Sequence, residues 1–182
     1  MLTNEEIYEN KNEIISLLKS TNREGIDKVI DFLNKSGYFY LYGSFKHHTY
    51  KGGLAEHSLG VYRLSEKFND GCREDSVIIS SLLHDICKTL YNFPEGVEYK
   101  GHGSKSVAII EDFIKFKLTD DERAAIRFHM RTNLKRDTLN EGWDYEAAKN
   151  SSLRKLIYKC DKIDAGGYNG FMQNVMYGII PC

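Results

Sequence analysis

Apolar residues recur at spacings of three and four along most of this 182-residue chain, a period that commits it to packed helices. Only two prolines, Pro94 and Pro181, interrupt the backbone, so long helices can run unbroken. Several inward positions of the pattern are not apolar. His57, His84-Asp85, His129 and Asp161 occupy them, and His102 stands between two glycines, which gives the order H…HD…H…H…D. Imidazole and carboxylate groups are the usual ligands of catalytic divalent metals. Their separation is too long for any local loop to gather them, so tertiary structure has to do it.

The elements follow from caps and periodicity. Thr3-x-x-Glu6 is a capping box opening a helix to about Lys19, with Ile7, Ile14, Leu17 and Leu18 as its apolar members. A second helix runs from about Arg23 to Ser36 and stops at Gly37. Residues 38–52 read as an aromatic, Gly-punctuated loop with a short extended piece at Tyr38–Tyr42. A third helix, from about Gly53 to Asn69, turns Leu54, His57, Val61, Leu64 and Phe68 inward. The most apolar helix, about Asp75 to Tyr91, carries His84 and Asp85 about 100° apart, so both can reach one ion. His102 is expected on a loop spanning 92–103, followed by a helix from Ser104 to about Lys117. Thr119-x-x-Glu122 is a second capping box, and its helix is expected to carry His129. Residues 132–150 are polar. A last helix, about Ser152 to Asp164, buries Leu153, Leu156, Ile157 and Cys160, with Asp161 one turn after Ile157; the tail 165–182 has no assignment.

These elements make a single all-α domain over residues 1–182, with N-terminal helices at 3–36 and a site-bearing core at about 47–164. A net charge of −1 excludes a global field that would attract nucleic acid, so an anionic ligand must be recognised locally. No apolar run reaches membrane-spanning length, and polar Thr3-Asn4-Glu5-Glu6 stands where a signal peptide would be apolar. Cys72, Cys87, Cys160 and Cys182 form no CxxC pair, which argues against a disulfide framework and for a cytoplasmic location. Oligomeric state is not legible.

A lone His-Asp dipeptide means little, and a buried histidine is usually a hydrogen-bonded core residue. The joint pattern weighs differently. Buried carboxylates at Asp85 and Asp161 are costly without a counter-charge, and a shared divalent ion supplies one. The competing arrangement is that they cap loops or pair with Lys88 and Lys162.

The segments His47-His48-Thr49-Tyr50-Lys51-Gly52-Gly53-Leu54-Ala55-Glu56-His57-Ser58 and Leu82-Leu83-His84-Asp85-Ile86-Cys87-Lys88 carry a resemblance. So do Gly101-His102-Gly103, Ala125-Ile126-Arg127-Phe128-His129 and Cys160-Asp161-Lys162-Ile163. Together they resemble HD-domain metal-dependent phosphohydrolases. The H-H-x-Y-x-G-G-L-x-E-H-S stretch is similar to the HD module of bacterial 3′–5′ exoribonucleases and to small phage-like HD proteins. The resemblance implies a bundle of about six to eight helices with the metal site at its centre. It also implies that His57, His84, Asp85 and Asp161 bind one metal, and that His102 and His129 bind a second bridged by Asp85. The chain departs from the pattern at Cys87, where Gly is common, and at Cys160, where Ala is common. Asp164 can compete with Asp161 for the ligand role.

One or two divalent ions are therefore expected, and the donor set admits manganese, iron, cobalt, nickel or zinc. Asp85 is expected to orient an attacking water and Lys88 to stabilise the phosphate. His47, His48, Arg127 and Arg131 are candidates for substrate contact, against the plainer reading of Arg127, Arg131 and Lys135 as a solvated helix face. Tyr38, Phe39, Tyr40, Tyr42 and Phe45 form either a core cluster or a base-stacking surface. The substrate class is a phosphorylated small molecule, such as a nucleotide, or a short nucleic acid. The alternatives are a 3′–5′ exonuclease on single strands and a non-catalytic sensor that binds metal and nucleotide.

Overall fold

The computed structural model describes residues 1–44, 46–90, 101–130 and 148–167. Among these residues there is no strand, and the all-α bundle expected from the periodicity is what forms. Most of the tail and most of 132–150 lie outside the described residues, as do Phe45, Arg131 and Lys135.

Helix α1 (Asn4–Ser20) starts at the anticipated capping box, where the Thr3 side chain accepts from the Glu6 N–H and Glu6 accepts from the Thr3 N–H. Helix α2 (Ile26–Lys35) ends before Gly37, whose φ of 77° needs a residue without Cβ. The next segment is not extended. Tyr38–Tyr40 form a 3-10 turn, because burial of Tyr38 and Phe39 drives both rings into the core. The Tyr38 hydroxyl sits 2.7 Å from Ser58 Oγ and 2.8 Å from the Leu82 carbonyl, which anchors the turn to two of the site-bearing helices. Tyr40 and Tyr42 remain about half exposed, so the aromatic cluster divides between core and surface.

Helix α3 (Gly53–Phe68) packs on α4 (Glu74–Leu83), whose residues from Ser76 to Leu83 are all buried. The helix expected to continue to Tyr91 stops at Leu83. His84 donates from Nδ1 to the Ser81 carbonyl at 2.7 Å and so occupies an acceptor that the next helical turn would use. A 3-10 segment, Ile86–Leu90, follows.

Helix α5 (His102–Ala108) begins at His102 itself, two residues earlier than expected, and passes into a π-helical turn, Ile109–Phe113. Helix α6 (Asp120–Arg127) opens at the second capping box and ends before His129, which lies in the following turn. There His129 repeats the device seen at His84, donating from Nδ1 to the Ile126 carbonyl at 2.7 Å. Helix α7 (Ser152–Lys162) is capped by Ser151 and continues into a π-helical turn, Ile163–Gly167, that carries Asp164. Helix α3 contacts α4 and α7, while α6 contacts α4, α5 and α7. The charged core is held by Glu122, which is fully buried and accepts from Arg23 at 2.6 Å and from Ser76 at 2.8 Å. No described helix is long and apolar enough to cross a membrane.

Candidate metal centre

Five helices and their ends converge on one cluster. Helix α3 supplies His57, the end of α4 supplies His84 and Asp85, the start of α5 supplies His102, the turn after α6 supplies His129, and α7 supplies Asp161. The close approach of α5 to α6 depends on Gly103. A Cβ there would lie 2.4 Å from the Arg127 carbonyl oxygen, so only glycine lets the adjacent His102 reach His129. The two Nε2 atoms are then 3.0 Å apart.

On one side of the cluster, His57 Nε2 lies 3.2 Å from His84 Nε2 and 3.3 Å from Asp161 Oδ1. His84 Nε2 is 4.0 Å from the same Asp161 oxygen. The proton positions follow from the partners. Ser81 O can only accept, so the His84 proton is on Nδ1. Asp164 Oδ2, 2.6 Å from His57 Nδ1, draws the His57 proton to that nitrogen. With the His57 ring neutral, both Nε2 atoms therefore present lone pairs to one another and to a carboxylate. Three converging electron-pair donors repel unless a cation or a proton lies between them.

On the other side, Asp85 divides its two oxygens. Oδ1 is 3.5 Å from both His102 Nε2 and His129 Nε2, while Oδ2 is 3.7 Å from His84 Nε2. A carboxylate whose oxygens face two separate imidazole sets is placed to bridge two ions. Asp85 Oδ1 and Asp161 Oδ2 are buried without a hydrogen-bond partner among the described residues. A native fold rarely leaves buried carboxylate oxygens unsatisfied, and a divalent cation would satisfy both. The triads His57–His84–Asp161 and His84–Asp85–His129 are compact enough, ligand atom to ligand atom, to hold a metal ion. The donor set thus fits one or two divalent ions.

The electrostatics agree. Burial opposes a charged His57, but hydrogen bonds to Asp161 and Asp164 and the nearby Asp85 outweigh it, and its pKa is pushed up to about 9. At His129, burial is likewise outweighed by Asp85, and the net direction is upward. Burial holds His84 down at about 3, so this imidazole stays neutral and ready to ligate. Burial alone would raise Asp85, yet Lys88, His84 and His129 hold its carboxyl well below the usual range.

Lys88 Nζ is in direct contact with Asp85 Oδ2, so the Asp85–Lys88 pairing weighed from the sequence is present within the cluster. Lys162 instead directs its ammonium to the Met130 sulfur at 3.6 Å. Asp164 does not stand in for Asp161: the two carboxylates address opposite nitrogens of His57. His47 and His48 are half-buried with ring centroids 5.0 Å and 5.3 Å from that of His57. Burial lowers both, His47 to about 4, so they are neutral imidazoles and not fixed cations. Arg127 lies over the Phe128 ring, 5.9 Å from its centroid.

Sequence reasoning missed the supporting groups. The carbonyls of Ser81 and Ile126 carry no sequence signal. Gly60 and Gly103, both within helices, do carry one, since a helical glycine costs stability and usually has a packing reason.

A family model for the HD domain matches residues 54–166. No curated protein and no solved structure matches the chain.

Proposed function

This chain belongs to the HD domain family, and on that premise we propose that it hydrolyses a phosphoester of a nucleotide or oligonucleotide with metal-activated water. The observation that carries the reading is Asp85, nearly buried, with its oxygens divided between two imidazole sets and one of them unsatisfied. His57, His84, Asp85 and Asp161 would hold a first divalent ion, and His102 and His129, with Asp85 shared, a second. Such ions supply Lewis acidity toward a phosphoryl oxygen and a water acidified toward neutral pH.

The protein's own groups do the rest. Asp85 accepts a hydrogen bond from the attacking water and orients it toward phosphorus. Lys88, whose ammonium already lies at the Asp85 carboxylate, is placed to take a phosphate oxygen as negative charge grows there. His47 and His48, neutral and partly buried beside His57, can donate N–H bonds to the substrate phosphate. Tyr40 and Tyr42, exposed next to the loop that carries these histidines, offer faces for a base.

The test combines metal analysis of the purified protein with a hydrolysis screen. Substrates should include a generic phosphodiester, nucleoside mono- and polyphosphates, cyclic dinucleotides and short single-stranded RNA. The expected result is bound transition metal and hydrolysis of at least one nucleotide class, lost in Asp85→Ala. Metal without any Asp85-dependent hydrolysis would instead identify a sensor.

A further inference from the structure

A carboxylate outside the six expected ligands makes a short polar contact to one of them. Asp164 Oδ2 lies 2.6 Å from His57 Nδ1, and His48 Nε2 is 3.6 Å from the same oxygen. Asp161 and Asp164 are three residues apart where α7 passes into its π-helical turn, so they lie on one face. Between them they hold both nitrogens of the fully buried His57 ring, Asp161 at Nε2 and Asp164 at Nδ1.

Reaching Nδ1 requires the carboxylate to lie against the backbone of α3. Gly60, one turn after His57, makes that possible. A Cβ at position 60 would fall 1.9 Å from Asp164 Oδ1 and 2.7 Å from its Cγ. Such an overlap displaces the carboxylate. In the interior of a helix, glycine is otherwise the poorer choice, and alanine is the ordinary stabilising replacement.

We infer that Asp164 is the positioning residue of the metal centre, fixing the His57 tautomer so that Nε2 faces inward, and that Gly60 is the notch in α3 that admits it. The inference rests on the metal-centre reading above. Asp164 acts through His57 and touches neither ion nor substrate. Partners that hold a ligating imidazole by its second nitrogen commonly account for roughly 10- to 100-fold in metal affinity.

The experiment measures Mn2+ affinity by chelator competition in wild type, Asp164→Ala, Asp164→Asn, Gly60→Ala and the Asp164→Ala/Gly60→Ala double variant. It is paired with 15N NMR of the histidine rings in the wild-type protein. Recorded at a pH high enough for a neutral ring, the NMR is expected to find the one His57 ring proton on Nδ1 in the metal-free state. Asp164→Ala should weaken Mn2+ binding roughly 10- to 100-fold, with Asp164→Asn intermediate. Gly60→Ala should weaken it comparably although it removes no polar atom, and should add nothing in the Asp164→Ala background.

An additive Gly60→Ala effect, or a His57 ring protonated only at Nε2, overturns the inference. So does unchanged affinity in Asp164→Ala. If wild type binds no Mn2+ and no other transition metal, the metal-centre reading itself fails; the NMR result still tests the Asp164–His57 pairing. Should a single variant not fold, Asp164→Asn and the wild-type NMR spectrum keep the outcome decisive.

Discussion

Metal affinity should rise steeply with pH, and His57 sets the range. Its imidazole is pushed up to about 9 by Asp161 and Asp164 against the cost of burial. At pH 7 the metal-free site therefore carries a proton where the first ion would bind. Binding must expel that proton, so apparent affinity grows about tenfold per pH unit below 9. Between pH 7 and pH 9, where half the protons are still bound, this amounts to a factor of about 50, or about 2.3 kcal/mol. His84, neutral down to about 3, contributes nothing over the same interval. His129, also shifted upward, steepens the slope for a second ion.

The stability of the metal-free protein runs the other way. The folded pKa of His57 lies above the ordinary 6.5, so its contribution is complete below pH 6.5 and is lost as pH rises through 9. At about 1.4 kcal/mol for each pH unit between those values, the loss is on the order of 3 kcal/mol. Competition titrations with Mn2+ from pH 6 to 9.5, beside urea melts of the chelator-treated protein, measure both trends. A metal affinity flat from pH 6.5 to 8.5 would refute the reasoning, because no proton would then be competing for the His57 nitrogen.

Three further outcomes are expected. Gly103→Ala forces α5 away from the Arg127 carbonyl, so calorimetric titration should retain the first metal equivalent and lose the second. Lys88→Ala removes the cation that competes for Asp85, so Mn2+ should bind more tightly while turnover falls, as read by paired titration and steady-state kinetics. Arg23→Ala leaves the buried Glu122 carboxylate without its ionic partner, and urea unfolding should report a loss of about 3–5 kcal/mol with metal stoichiometry unchanged.

Much of the fold was legible because its signals are local. Both capping boxes form as the Thr-x-x-Glu spacing requires, and the stripe Leu54, His57, Val61 turns inward on α3 as the period predicts. The helix ends were read less well. His84 and His129 each bond the carbonyl three residues back, a competition between side chain and backbone that propensity does not register. The 3-10 turn at Tyr38–Tyr40 was missed for a related reason: its conformation is set by where two aromatic rings can be buried.

The sequence alone determined the helical class, the inward placement of His57 and Asp161, and the set of side chains able to meet an ion. Periodicity is a one-dimensional property, and it sorts residues by face. Tertiary structure decided how those side chains face one another. It turned the two oxygens of Asp85 toward different imidazoles, set Asp161 and Asp164 at opposite nitrogens of one ring, and brought His102 to His129 across Gly103. Each of these depends on the approach of helices distant in the chain, and at Gly60 and Gly103 that distance is fixed by whether a single Cβ fits between them.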